Sequence, residues 1–129
     1  MIGIVVVSHG KLAHELVRAA EHVVGPQTAF EALSIEAEDD IDARRDEIRD
    51  TVKNCNQGKG VIILTDMFGG TPSNLAIARL REDKVEVLAG VNLPMLLEFV
   101  FHTDLPLEEL AEQVQDKGRS SIAQPALRG

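Results

Sequence analysis

The chain has 129 residues, 44% of them hydrophobic, which is enough for one well-buried core and too few for two domains. Aromatic residues make up only 3%, with no Trp or Tyr, so the core is expected to be built from Val, Ile, Leu and Ala. Lys and Arg number 13 against 21 acids, a formal charge of -8 that argues against nucleic acids and anionic membrane surfaces as partners, and a single cysteine, Cys55, excludes an intrachain disulfide.

In chain order, Met1-Ile2-Gly3-Ile4 carries no basic n-region, so no signal peptide is read there. Residues 2–7 form a continuous, β-branched apolar run that predicts a strand buried on both faces, bounded by Ser8-His9-Gly10. A helical pattern follows over residues 11–24. Leu12, Leu16, Ala20 and Val23 form its stripe, Ala13 and Val17 widen it, and Gly25-Pro26 ends it. Residues 29–35 predict a second strand with Phe30, Ala32 and Ser34 on one side. Glu38-Asp39-Asp40 places acids where a helix N-terminus favours them, and Ile41, Ile48, Val52 and Cys55 continue as its apolar face.

Gly58-Lys59-Gly60 breaks that helix, and residues 61–64 predict a third strand. A glycine-rich loop over 66–73 leads to a helix over 73–81, and residues 85–89 form a fourth strand. Pro94 fits the first turn of a helix running to about residue 102, and Leu107, Leu110, Ala111 and Val114 form the stripe of a last helix ended by Gly118. Residues 119–129 are left open between coil and strand. The longest apolar stretch, residues 93–101, contains Glu98 and falls far short of the roughly 18 residues a membrane span requires. The expected product is a soluble, cytoplasmic, single-domain protein with no direct membrane insertion. Four strand–helix alternations predict an α/β fold: an open, doubly wound, mainly parallel four-stranded sheet with helices on both faces.

In such a sheet ligands collect beyond the carboxyl ends of the strands, where strand order reverses. In a flavodoxin-like order this crevice lies between the first and third strands, whose ends carry Ser8-His9-Gly10 and Asp66-Met67-Phe68-Gly69-Gly70-Thr71-Pro72-Ser73. His9 is the candidate nucleophile, because a neutral imidazole attacks through its unprotonated nitrogen. Asp66, accepting a hydrogen bond from the other ring nitrogen, would set the tautomer and stabilise the charge the ring acquires. Gly69 and Gly70 expose successive backbone N–H groups, and Thr71 is expected to cap a helix whose first residue is Pro72. Gly10, Gly69, Gly70, Thr71 and Ser73 are therefore the candidate phosphate-binding residues, and Met67 and Phe68 are either docking contacts or loop anchors. A helix cap or a hydrogen-bonded structural role is the competing reading of His9, and a plain strand-to-helix turn that of the glycine loop. No P-loop and no Gly-x-Gly-x-x-Gly after the first strand supports a nucleotide, and no zinc or calcium pattern appears, so no metal site is assigned. His14 and His22 fall off the apolar stripe and read as solvated, His102 reads as structural, and Cys55 as a buried, inert thiol.

At these residues the chain resembles the IIA component of the mannose family of the bacterial phosphoenolpyruvate-dependent sugar phosphotransferase system (PTS). The resemblance rests on Gly3-Ile4-Val5-Val6-Val7-Ser8-His9-Gly10, on Asp66 through Asn74, and on Gly90-Val91-Asn92-Leu93-Pro94-Met95-Leu96, and it runs along essentially the whole chain. It implies a phosphotransferase component in which His9 is phosphorylated on Nε2 by the phosphocarrier HPr and passes the group to a histidine of a IIB component. It further implies that Asp66 hydrogen-bonds the ring and that Thr71 stands beside the phosphoryl group. A homodimer is implied too, in which the C-terminal segment, residues 119–126, gives a strand to the neighbouring subunit. Phe68 departs from a Trp common at that position, and a IIB domain is not expected within residues 1–129. His-to-His transfer needs no cofactor. The competing functions are a regulatory module whose partner choice is switched by phosphorylation of His9, a His-dependent phosphatase, disfavoured because no Arg precedes His9, and a metal chelatase, for which no partner His is evident.

Overall fold

The computed structural model describes residues 1–82, 84–102 and 104–126. The chain alternates β1 (Gly3–His9), α1 (Leu12–Val24), β2 (Phe30–Ile35), α2 (Ile41–Cys55), β3 (Val61–Thr65), α3 (Thr71–Ile77), a 3-10 turn (Ala78–Arg81), β4 (Val85–Ala89), α4 (Leu93–Val100) and α5 (Leu107–Ser120). The four strands form one sheet in the order β2-β1-β3-β4, and every pairing is parallel. This is the open, doubly wound α/β architecture expected from the alternation of apolar runs and amphipathic segments.

Side-chain alternation along the strands divides the core into two apolar layers. Ile4 and Val6 of β1 join Ile62 and Leu64 of β3 beneath α1, α4 and α5, with Phe99 fully buried and its ring 5.7 Å from that of Phe30. Val5 and Val7 face the other way, with Ile63 of β3 and Ile35 of β2, against Ile48 and Val52 of α2 and Leu75 and Ala76 of α3. Truncating a residue seated like Phe99 to Ala costs about 3–5 kcal/mol.

Helix ends follow local chemistry. Gly25, at φ +88°, closes α1 by donating its amide to the Glu21 carbonyl. Asp40 caps α2 by accepting from the amides of Asp42 and Ala43, and Asn92 caps α4 by accepting from the amide of Met95.

Three expectations are corrected. The buried stripe of α1 is Ala13, Val17 and Ala20, with Leu16 partly buried against the same core, whereas Leu12 and Val23 are exposed; the face turned to the sheet is rotated from the one expected. The α5 helix runs through Gly118 to Ser120 instead of stopping there. Gly118 is buried because a Cβ on it would lie 2.7 Å from Sδ of Met95, so its glycine serves a close approach, not a stop. The helix expected over 73–81 begins earlier, at Thr71, and narrows to a 3-10 turn from Ala78. Arg119 and Ser120 of the open tail are thus helical, residues 122–126 have no regular structure, and 127–129 lie outside the described residues. A second close approach seats the start of α5. A Cβ on Gly60 would stand 2.8 Å from both Cδ2 of Leu107 and the Lys84 carbonyl oxygen.

Candidate functional site

The sheet order puts β1 and β3 side by side, while α1 leaves β1 on one face and α3 leaves β3 on the other. A crevice between the two departing connections is the geometric result. Val7 pairs with Thr65 in the parallel register, so Asp66, the next residue of that chain segment, stands level with the end of β1. His9 is the last residue of β1, and Gly10, at φ +55°, turns the chain away while its amide donates to the Ile35 carbonyl of β2.

His9 and Asp66 are in direct contact. Oδ2 of Asp66 lies 2.8 Å from Nδ1 of His9 and also accepts the His9 backbone amide at 3.0 Å. Oδ1 accepts the amide of Met67 at 3.0 Å. Partial burial pushes the Asp66 pKa up, but the hydrogen bonds from the His9 amide and ring, together with attraction to the ring, outweigh it and hold the carboxyl below its ordinary range. An ionised carboxylate only accepts, so Nδ1 carries the proton in the neutral ring and Nε2 keeps its lone pair. The imidazole is half exposed, whereas the Asp66 side chain is only 12% exposed, so the ring is open to an incoming group while its anchor is sheltered.

Gly70 borders the free edge of the ring. A Cβ built there would lie 2.8 Å from Cε1 and 3.2 Å from Nε2 of His9, so only glycine leaves that edge clear. Gly69, at φ +95°, adopts a conformation that side chains disfavour. Among the described residues, the amides of Gly69, Gly70 and Thr71 donate to no other group. Thr71 does not cap α3 as expected. The helix starts one residue sooner, Gly70 occupies the cap position without a side chain, and Pro72 stands within the first turn. Thr71 is exposed, whereas Ser73 is fully buried, so the structure does not bring Ser73 to the open side of the loop as expected. Met67 and Phe68 are exposed on the same loop, Phe68 by 77%.

The other histidines and Cys55 have their own surroundings. His14 and His22 are exposed, and Nδ1 of His14 is 2.9 Å from the Ser34 hydroxyl. His102 bridges α4 and α5 through Gln113 at 3.2 Å and Glu98 at 3.5 Å. Cys55 is half-buried, not buried as expected. It lines a cavity of about 220 Å³ at the opposite edge of the sheet, with Gly3, Glu31 and Thr51. Burial, and secondarily Glu31, push its thiol pKa up. No group of three or more His, Cys, Asp or Glu side chains converges as a metal site among the described residues. No helix among them is long and apolar enough to cross a membrane. One residue beside the pair escaped the sequence reading. Ser8 is fully buried and hydrogen-bonded at both ends of its hydroxyl; the signal available was a small polar residue ending an otherwise apolar strand.

Residues 3–115 match the family described as PTS system fructose IIA component. The chain is 31% identical over 125 residues to the mannose-specific EIIAB component of Escherichia coli, a match that covers 94% of this chain and 38% of that protein. It is 28% identical over 124 residues to the fructose-specific EIIA component of Bacillus subtilis, covering 95% of this chain and 85% of that one. Among solved structures it is similar to the mannose/sorbose-specific IIA subunit from Enterococcus faecalis, with a TM-score of 0.89 at 26% identity over 99% and 97% of the two chains. It is also similar to the phosphotransferase system component EIIA from Streptococcus agalactiae, with a TM-score of 0.87 at 27% identity over 96% and 97%.

Proposed function

The chain belongs to the PTS system fructose IIA component family, and from that premise we propose that it is a phosphocarrier that accepts a phosphoryl group on Nε2 of His9 from phospho-HPr and passes it to a histidine of a IIB component. The observation that carries this reading is the Asp66 carboxylate 2.8 Å from Nδ1, which turns the lone pair of Nε2 toward the loop of Gly69 and Gly70. In the first half-reaction the N–P bond on the donor histidine breaks, the Nε2–P bond forms, and His9 gains a positive charge that Asp66 stabilises through the Nδ1 proton. The second half-reaction reverses these changes toward the acceptor. Charge in the transition state spreads over three equatorial oxygens, so placement and oriented donors carry the catalysis. Gly69, Gly70 and Thr71 are assigned to hold the phosphoryl group, through backbone amides and the exposed Thr71 hydroxyl; Gly10, whose amide is already given to the Ile35 carbonyl, and Ser73, which is fully buried, drop out of the expected set. Neither a cofactor nor a metal enters this scheme.

Met67 and Phe68, exposed at the rim, are assigned to partner docking, with the acidic surface raising the association rate toward basic partners. Residues 1–129 are taken as one IIA domain of the mannose type, acting in the cytoplasm. In a homodimer the residues after α5 would add a strand to the neighbouring subunit; β4 ends the sheet order and, among the described residues, pairs only with β3, which leaves an edge for such an addition. Intact mass after incubation with phosphoenolpyruvate, enzyme I and HPr tests the central claim, with His9→Ala alongside. One acid-labile phosphoryl group on the wild type and none on the variant is expected. Label on both, or on neither while HPr is itself phosphorylated, would overturn it.

A further inference from the structure

Among the described residues, three polar side chains are wholly buried, Ser8, Thr65 and Ser73, and all three lie beneath the site: one precedes His9, one precedes Asp66, and one follows the glycine loop. The rest of the core is apolar. A buried hydroxyl is costly unless it is paired, and that of Ser8 is paired on both sides. Its Oγ accepts the amide of Ala13 at 2.7 Å, and it donates to the His9 carbonyl at 3.1 Å, with the Gly10 carbonyl a longer alternative at 3.4 Å. Ala13 is the second residue of α1, so its amide is one of those a helix start leaves without an intrahelical partner. Lys11, the residue in the cap position, makes no capping bond with its side chain. The strand itself supplies the cap.

From this arrangement we propose that Ser8 is a positioning residue for phosphoryl transfer at His9, a role that rests on the phosphocarrier reading above. His9 is tied at both of its peptide groups. Its N–H is held by Asp66 from the β3 side, and its C=O by the Ser8 hydroxyl, which is itself anchored to the first turn of α1. The ring of His9 therefore projects from a backbone fixed relative to both elements that border the crevice, and Nε2 keeps its distance from Gly70. Removing the hydroxyl releases the carbonyl end, lets the turn at Gly10 relax, and shifts the ring against the loop while leaving Met67 and Phe68 untouched.

The test compares Ser8→Ala, Ser8→Thr and Ala20→Gly with the wild type in single-turnover transfer from phospho-HPr, with thermal melts and ¹⁵N NMR of the His9 ring. Ala20→Gly weakens α1 away from the site and reports what lost stability alone does to the rate. Ser8→Ala is expected to transfer about tenfold more slowly at saturating donor, with half-saturation unchanged and the Nδ1 proton signal of His9 broadened. Ser8→Thr, which keeps the hydroxyl, returns to within about twofold of wild type, and Ala20→Gly stays at the wild-type rate. Should Ser8→Ala fail to fold, Ser8→Cys, with its weaker donor, takes its place. A wild-type rate in the variant lacking the hydroxyl, a loss matched by Ala20→Gly, or a change in half-saturation alone would overturn the role of Ser8. A wild type that takes no phosphoryl group would overturn the carrier reading and this one together, and is told apart by that blank.

Discussion

The two edges of the sheet carry the same ingredients, a nucleophile and an acid, in opposite electrostatic arrangements. At the C-terminal edge, Asp66 accepts hydrogen bonds from both the ring and the backbone of His9, and its carboxyl is held below the ordinary range. At the N-terminal edge, Cys55 and Glu31 line one cavity, where burial and the like charge of the acid both push the thiol away from ionisation. A carboxylate beside a nucleophile promotes reaction only where the nucleophile becomes positive. Next to an imidazole it stabilises the phosphorylated, cationic ring, and next to a thiol it opposes the thiolate. Nucleophilic character in this chain is thus concentrated at one edge.

Beyond the complete loss expected of His9→Ala, the sharpest way to break the contrast is Gly70→Ala. Its methyl group would sit 2.8 Å from Cε1 of His9 and displace the ring, so phosphoryl uptake should fall by about 100-fold while the melting temperature changes little, as transfer assays and melts in parallel would reveal. Asp66→Asn comes next. With the ring no longer held in one tautomer, transfer should slow between about 10- and 100-fold, taking as a scale the loss seen when a group orienting a metal-bound histidine is removed.

The same substitution changes the pH dependence of stability. Because the folded Asp66 pKa lies below the ordinary carboxylate value of about 3.9, its contribution is fully present above that value and lost as pH falls through the folded pKa. Urea melts should accordingly show the stability gap between wild type and Asp66→Asn closing as pH drops below about 4. A gap that stays constant would mean that the carboxylate is not held by its charge. The smallest effect belongs to the other edge. Cys55→Ser should leave transfer within about twofold of wild type, and the wild-type thiol should react with iodoacetamide at neutral pH more slowly than a free cysteine.

Much of this arrangement was legible in the chain because parallel strands buried on both faces demand unbroken apolar runs. The fourth strand, 85–89, matches its prediction residue for residue, and the pairing of His9 with Asp66 follows once a flavodoxin-like strand order is assumed. What escaped depends on contacts between distant parts. Leu12 and Val23 fit a helical stripe as well as Ala13 and Ala20 do, and only the way α1 is rotated against the sheet decides which of them is buried. Gly118 carries a stop signal that its fit against Met95 overrides. The expected cap by Thr71 failed because a one-residue change in where α3 begins hands that position to Gly70. The role of Ser8 was hidden because its acceptor and donor partners flank a loop, with Ala13 five residues ahead, outside any local capping pattern.

The two glycines that seat α5 work like keyways cut at either end of a shaft. Leu107 drops into the space left by Gly60, and some 16 Å further along the helix, at about 1.5 Å per residue, Gly118 receives Met95. Sliding the helix by one residue also rotates it by about 100°, which would bring Lys117 or Arg119 against Met95 and lift Leu107 from its notch. Both notches must engage together, so the shaft has a single phase, and the outer helix is registered against the entry to β3 at one end and against α4 at the other through two absent side chains.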